Sequence, residues 1–96
     1  MKRLQDNVTI ITGGGKGIGF GMASAFAREG SNLVITGRNE TRLLDAKNKL
    51  EEEYGVKVLA LVADGADENK IKEVIAKTIV TFGKINTLIN NAQASK

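Results

Sequence analysis

The residue types able to do chemistry in this 96-residue chain gather in one stretch, Thr12-Gly13-Gly14-Gly15-Lys16-Gly17-Ile18-Gly19. Gly13, Gly17 and Gly19 lack the Cβ that would obstruct a tight turn, so the backbone can approach a pyrophosphate closely and let the following helix pack against a sheet. A helix starting near Ile18 would aim its unpaired N–H groups and positive dipole end at those phosphates. Anion binding is therefore the expected chemistry. The rival phosphate motif, GxxxxGK followed by Ser or Thr, is not met, because Gly17 follows Lys16 and leaves no hydroxyl to hold magnesium. Kinase and ATPase chemistry is set aside on that ground.

A glycine run alone fits a flexible loop as well as a binding turn, and here the flanks decide. Val8, Ile10 and Ile11 precede it as a β-branched run, and Met22, Ala25, Phe26 and Glu29 follow at helical spacing. Strand, glycine turn and helix form the context that a dinucleotide fingerprint requires. The first helix should end at the Gly30 break. Leu33, Val34 and Ile35 then predict a buried parallel strand closing at Thr36-Gly37-Arg38. Asn39 can cap a helix from about Glu40 to Tyr54, with Leu43, Lys47, Leu50 and Tyr54 on one face and Gly55 ending it. Residues 58–62 make a third strand, and Asp67 or a neighbour caps a third helix. Its Ile71, Val74, Ile75, Thr78, Ile79 and Phe82 form the cleanest apolar face in the chain. Gly83 stops it, and residues 87–90 supply a fourth short strand.

The order βαβαβαβ with short connections predicts an α/β fold: a Rossmann-type, doubly wound parallel sheet with helices on both faces and strand order 3-2-1-4. One domain would span residues 1–96. The fourth strand crosses to the far side of the first and opens the switch-point crevice where dinucleotides sit. It would also be an edge, carrying Leu88 and Ile89 with no helix after it to cover them. The chain therefore looks like the first half of a larger fold; if the chain is complete, the open pairing edge favours self-association, as a homo-oligomer, over a stable monomer.

Composition narrows the function further. With no Cys and no His, thiol chemistry, disulfides, imidazole catalysis and the usual zinc sites are excluded, while a carboxylate-only magnesium site stays open. The 14 basic and 11 acidic residues are scattered through the helices, which describes solvated faces. Nucleic-acid binding would instead need a basic stripe with stacking aromatics, and the three Phe and one Tyr fall mostly at core-like positions. No apolar run approaches the ~18 residues of a membrane span, and residues 1–6 lack the apolar core of a signal peptide. A cytoplasmic protein bound to neither nucleic acid nor membrane is expected.

The choice of nucleotide turns on the end of the second strand. An acidic residue there would bind the ribose 2′-OH and favour NAD, but the strand ends in Gly37-Arg38. Arg38 can offer a planar fork to a 2′-phosphate, and Lys16 adds a second charge from the glycine loop. Together they favour NADP over NAD. The plain alternative is that both are solvated surface cations. Glu40 dissents from two positions beyond Arg38, although a Glu in a first helical turn is explained by the helix dipole. Asp64 follows the third strand on the ligand-binding edge, where it could accept from the adenine amino group or simply end the strand. Asn90 and Asn91 close the fourth strand, and a structural role bridging backbone groups of neighbouring loops is favoured for their amides.

Thr12-Gly13-Gly14-Gly15-Lys16-Gly17-Ile18-Gly19 together with Asn90-Asn91-Ala92 resembles the short-chain dehydrogenase/reductase family over essentially the whole chain. The resemblance implies an NAD(P)-dependent oxidoreductase with a single Rossmann domain, commonly a dimer or tetramer. It implies that Gly13, Gly17, Ile18 and Gly19, with Gly15 of the same loop, line the pyrophosphate and that Lys16 and Arg38 contact the 2′-phosphate. Asp64 and Gly65 would lie at adenine, while Asn91 and Ala92 would support the sheet and flank the ribose. Gln93 stands where the family pattern usually continues with Gly. The family's Ser and Tyr-x-x-x-Lys pair has no counterpart, since Lys57 is three residues after Tyr54, the single tyrosine. Tyr54 is read as a packing residue, and no catalytic residue is assigned. The expectation is the cofactor-binding half of an NADP-dependent enzyme that interconverts a carbonyl and an alcohol, inactive by itself. A non-catalytic dinucleotide-binding module and a self-associating remnant are the alternatives.

Overall fold

The computed structural model describes residues 3–64 and 67–91. Seven elements follow one another: β1 (Val8–Thr12), α1 (Gly17–Arg28), β2 (Asn32–Gly37), α2 (Glu40–Tyr54), β3 (Val58–Val62), α3 (Glu68–Phe82) and β4 (Thr87–Asn90). All the strand pairs are parallel, in the order β3-β2-β1-β4. This is the doubly wound α/β architecture that the sequence predicts. Ile10 of β1 is in register with Val34 on one side and Leu88 on the other, so the first strand of the chain lies inside the sheet.

Local chemistry accounts for the element ends. Asn39 is extended and accepts the Arg42 N–H at the start of α2, and Asp67 accepts from Asn69 and Lys70 at the start of α3. Gly55 and Gly83 end these helices at φ 72° and 82°, a left-handed conformation that costs a residue without Cβ nothing. α1 ends at Arg28 and Gly30 follows at φ 96°.

Strand alternation sorts the core onto two faces. Ile11, Leu33, Ile35 and Val58 meet Ala23 and Ala27 of α1 and Leu43, Ala46 and Leu50 of α2. Val8, Ile10 and Val34 point to the other face and meet Val74 of α3. The first face differs in one respect from the sequence reading. The buried stripe of α1 is Gly19, Ala23 and Ala27, while Ala25 is exposed and Met22, Phe26 and Glu29 are only half-buried. Small residues line the contact because they let the helix axis approach the sheet, and the large apolar side chains flank it.

The second face is less complete than the apolar spacing of α3 predicts. Val74 and Thr78 are buried, Ile71, Ile75 and Phe82 are half-buried, and Ile79 is 45% exposed. β4 is an edge strand as expected, with Leu88 47% exposed on this face and Ile89 packed against the other. At its start β4 is clasped to β1 by a reciprocal pair, Val8 N–H to Asn86 Oδ1 at 2.8 Å and Asn86 N–H to the Val8 carbonyl at 2.9 Å. Among the described residues no helix is long and apolar enough to cross a membrane.

Candidate functional site

The glycine stretch forms the loop between β1 and α1, on the C-terminal edge of the sheet. Gly13 turns the chain at φ 71°, and two bonds then stitch the loop to the end of β2: Gly13 N–H to Thr36 Oγ1 at 3.3 Å and Gly14 N–H to the Thr36 carbonyl at 3.1 Å. Asn91 ties the loop to the end of β4 by donating from Nδ2 to the Gly13 carbonyl at 3.4 Å. Thr12 Oγ1 donates to Asn90 Oδ1 at 3.0 Å beside it. Asn91 thus bridges to a backbone group of the neighbouring loop, whereas Asn90 bonds a side chain at the end of β1.

The glycines are needed for different reasons. A Cβ on Gly19 would run into the Gly13 carbonyl and lie 2.8 Å from Asn91 Nδ2, so the first turn of α1 can sit under the loop only without one. A Cβ on Gly14 would come within 2.7 Å of Ile35 Cγ2, which makes Gly14 a packing glycine that sequence reasoning did not single out. Gly17 has open space around it but stands at φ 59°, so backbone conformation rather than contact excludes a side chain there.

The start of α1 differs from the other two helices. Lys16 occupies its N-cap position and contributes no side-chain cap, and the first bond back into the cap is Phe20 N–H to the Lys16 carbonyl at 3.2 Å. The N–H groups of a first helical turn have no intrahelical acceptor, and the loop and Gly17, the first residue of α1, border a cleft of about 340 Å³. That cleft is walled by Gly13, Gly15, Lys16 and Gly17 from the loop, by residues 36–39 with Arg42 and Leu43 from β2 and α2, and by Ala63, Asp64 and Asn91.

Most of the expected site residues therefore meet in one place: Gly13, Gly15, Lys16, Gly17, Arg38, Asp64 and Asn91 all line the cleft. Gly19 is buried under the loop, and Ile18 points away, 77% exposed and outside the lining. Gly65 and Ala92 lie outside the described residues, as does Gln93. Glu40 is exposed in the first turn of α2 and does not line the cleft. Asp64 does, and its carbonyl accepts the Asp67 N–H at 3.0 Å. Lys16, Arg38 and Arg42 are exposed, and among the described residues none of them forms an ion pair.

Sequence reasoning missed Thr36, whose hydroxyl receives the loop, and Arg42. The spacing held a signal for the arginine, since it stands four residues after Arg38 at the mouth of the same helix. Among the described residues the polar side chains lining the cleft are those of Lys16, Arg38 and Arg42, the neutral Thr36, Asn39 and Asn91, and one carboxylate, Asp64. No group of three or more potential metal ligands occurs among the described residues. Tyr54 lies in the last turn of α2, at the opposite end of the sheet, and packs against the core. A cleft with this lining is suited to an anionic ligand.

Comparison with known proteins agrees with this geometry. Residues 7–96 match the short chain dehydrogenase family. A 12alpha-hydroxysteroid dehydrogenase of Clostridium sp. is 57% identical over 94 residues, covering 92% of this chain and 36% of that protein. The crystal structure of L-sorbose reductase from Gluconobacter frateurii, complexed with NADPH and L-sorbose, superposes with a TM-score of 0.93 at 34% identity, over 99% of this chain and 36% of that one. NAD+-bound xylitol dehydrogenase gives a TM-score of 0.89 at 30% identity, over 97% and 35%. The chain spans about a third of the length of the relatives it matches.

Proposed function

The chain belongs to the short chain dehydrogenase family, and from that premise we propose that residues 1–96 form the NADP-binding part of an oxidoreductase that interconverts a carbonyl and an alcohol. One observation carries the cofactor reading. Lys16, within the glycine loop at an uncapped helix start, and Arg38, after the end of β2, line one cleft and stand without ion pairs among the described residues. Lysine and arginine at such a place are in want of an anion. The first-turn N–H groups of α1, reached past Gly13, Gly15 and Gly17, would hold the pyrophosphate, and Arg38 with Lys16 would hold the 2′-phosphate. Asp64, Gly65, Asn91 and Ala92 complete the proposed set toward adenine and ribose.

The nicotinamide of such a cofactor supplies or accepts the hydride. This chain's own part is to bind and orient: Thr36 and Asn91 fix the loop, and the cleft fixes the phosphates. The segment alone should show no carbonyl reduction. The substrate would be a small molecule. Gathering of the cations into one cleft, with no run of stacking aromatics, suits a nucleotide and not a nucleic-acid strand. A homo-oligomer is the expected assembly, as the family resemblance implies. NAD remains the second reading because a structural neighbour is NAD+-bound and Glu40 lies close to Arg38 in sequence.

Calorimetric titration with NADPH and NADH separates the two. NADPH should bind more tightly, and Arg38→Ala should weaken NADPH on the order of tenfold to a hundredfold while sparing NADH. Equal losses for both nucleotides would remove the 2′-phosphate assignment.

A further inference from the structure

Resting on the NADP reading above, we propose that Arg42 is a second arginine for the 2′-phosphate, so that Arg38 and Arg42 grip it from two sides and Arg42 sets part of the preference for NADP over NAD. Arg42 is the third residue of α2, and its backbone N–H is held by Asn39 Oδ1 at 2.9 Å. The next residue, Leu43, donates its N–H to the Asn39 carbonyl at 3.0 Å and is 1% exposed. Its Cδ1 lies 3.5 and 3.4 Å from where Cβ atoms on Gly15 and Gly37 would be. The first turn of α2 is thereby fastened to the floor of the cleft, and the Arg42 backbone has little room to drift. Its side chain lines the cleft with Lys16 and Arg38.

Nothing on its own helix neutralises this arginine. Asp45, three residues on, pairs with Lys49 at 3.2 Å, and the position four residues on is Ala46. A cation in a first helical turn faces the positive end of the dipole, and Arg38, which lies before the Asn39 cap and outside the helix, lines the same cleft with the same charge. Both penalties disappear when a phosphate enters between the two guanidinium groups. A phosphomonoester carries up to two negative charges and three oxygens, which suits two planar forks, whereas the ribose hydroxyl of NAD offers neither. The same arrangement that costs the free protein stability becomes the discriminating contact once the 2′-phosphate is bound.

The test is calorimetric titration of the purified protein and its Arg42→Ala, Arg42→Lys, Arg38→Ala and Arg28→Ala variants with NADPH, NADH and adenosine 2′,5′-bisphosphate at one ionic strength. Arg28 is exposed in the last turn of α1, away from the cleft, so its loss controls for net charge. Arg42→Ala should weaken NADPH and the bisphosphate on the order of tenfold to a hundredfold and leave NADH unchanged. Arg42→Lys should recover part of the loss, because it keeps the charge and loses the fork, and Arg28→Ala should change nothing. The proposal is overturned if Arg42→Ala spares NADPH, if it weakens NADH equally, or if Arg28→Ala reproduces its effect. A preference for NADPH that Arg38→Ala abolishes and Arg42→Ala leaves intact overturns the role of Arg42 alone. No preference for NADPH in the unaltered protein overturns the cofactor reading together with it.

Discussion

The two faces of the sheet are finished to different degrees, and the site is seated on the finished one. On the face covered by α1 and α2, ten residues form a continuous buried cluster that includes Leu33, Ile35, Leu43 and Leu50. The glycine loop rests directly on it, with Gly14 against Ile35 and Gly15 beside Leu43. On the face covered by α3 the buried cluster has five of the described residues, and Ile79, Val80 and Leu88 are 45%, 86% and 47% exposed. The loop's stitches run to β2 and to Asn91, and no hydrogen bond among the described residues ties it to α3. The difference teaches that phosphate-loop geometry depends on one helix layer, while the other layer carries apolar surface to spare.

The comparison breaks most directly on paired leucines. Leu50 is fully buried between α2 and the sheet, and Leu50→Ala should cost about 2–5 kcal/mol of stability through lost transfer energy and a residual cavity. Leu88→Ala, on the open face, should cost under about 1 kcal/mol, since half of the side chain is already in water. Urea denaturation of both variants gives the two values. Equal costs would show that the α3 face is as tightly committed as the other, and the asymmetry would then be one of exposure only.

How far this asymmetry could be read beforehand depended on what kind of residue enforced it. Asn39, Gly55, Asp67 and Gly83 punctuate the chain by local hydrogen bonding and φ preference, so the bounds of α2 and the stops of α2 and α3 were legible without knowing any tertiary contact. The pairing order followed from the length and handedness of the crossovers. Contacts made across the sheet were not legible. The Gly19, Ala23 and Ala27 stripe is silent to apolar periodicity because its residues have almost no side chain to count. Gly14 looked like one glycine among several until Ile35 was seen beneath it. Arg42 could be placed on α2 but not aimed, because its direction depends on Leu43 being seated against Gly15 and Gly37. The glycine loop and Arg38 were legible as members of one candidate cleft, since their chemistry is local to the sequence.

The coupling between loop and finished face is sharpened by Gly19. A Cβ there meets the Gly13 carbonyl, a backbone atom that cannot rotate aside, as well as Asn91 Nδ2. Gly19→Ala should therefore destabilise the fold by roughly 1–3 kcal/mol, the usual range for overpacking. It should also abolish most nucleotide binding, because α1 is pushed away from the turn that its N–H groups serve. Thermal unfolding and NADPH titration of one preparation measure both effects. Retained binding at reduced stability would mean that the helix start and the loop adjust independently.

Gly21 provides the opposite case two residues further along α1. It is exposed in the helix interior, and a Cβ placed on it has nothing within 4 Å. Gly21→Ala should raise stability by about 0.5–1 kcal/mol, partly by restricting the unfolded chain and partly through helix propensity. It should leave NADPH affinity where it was, because neither the first turn of α1 nor the loop above it is touched. If affinity changed while the fold gained stability, the stiffness of α1 itself would be part of the binding site. Positioning by the α1 and α2 layer would then be a matter of helix dynamics as well as of packing, and the contrast between the two faces would have to be measured by hydrogen exchange along α1 and α3 rather than by burial.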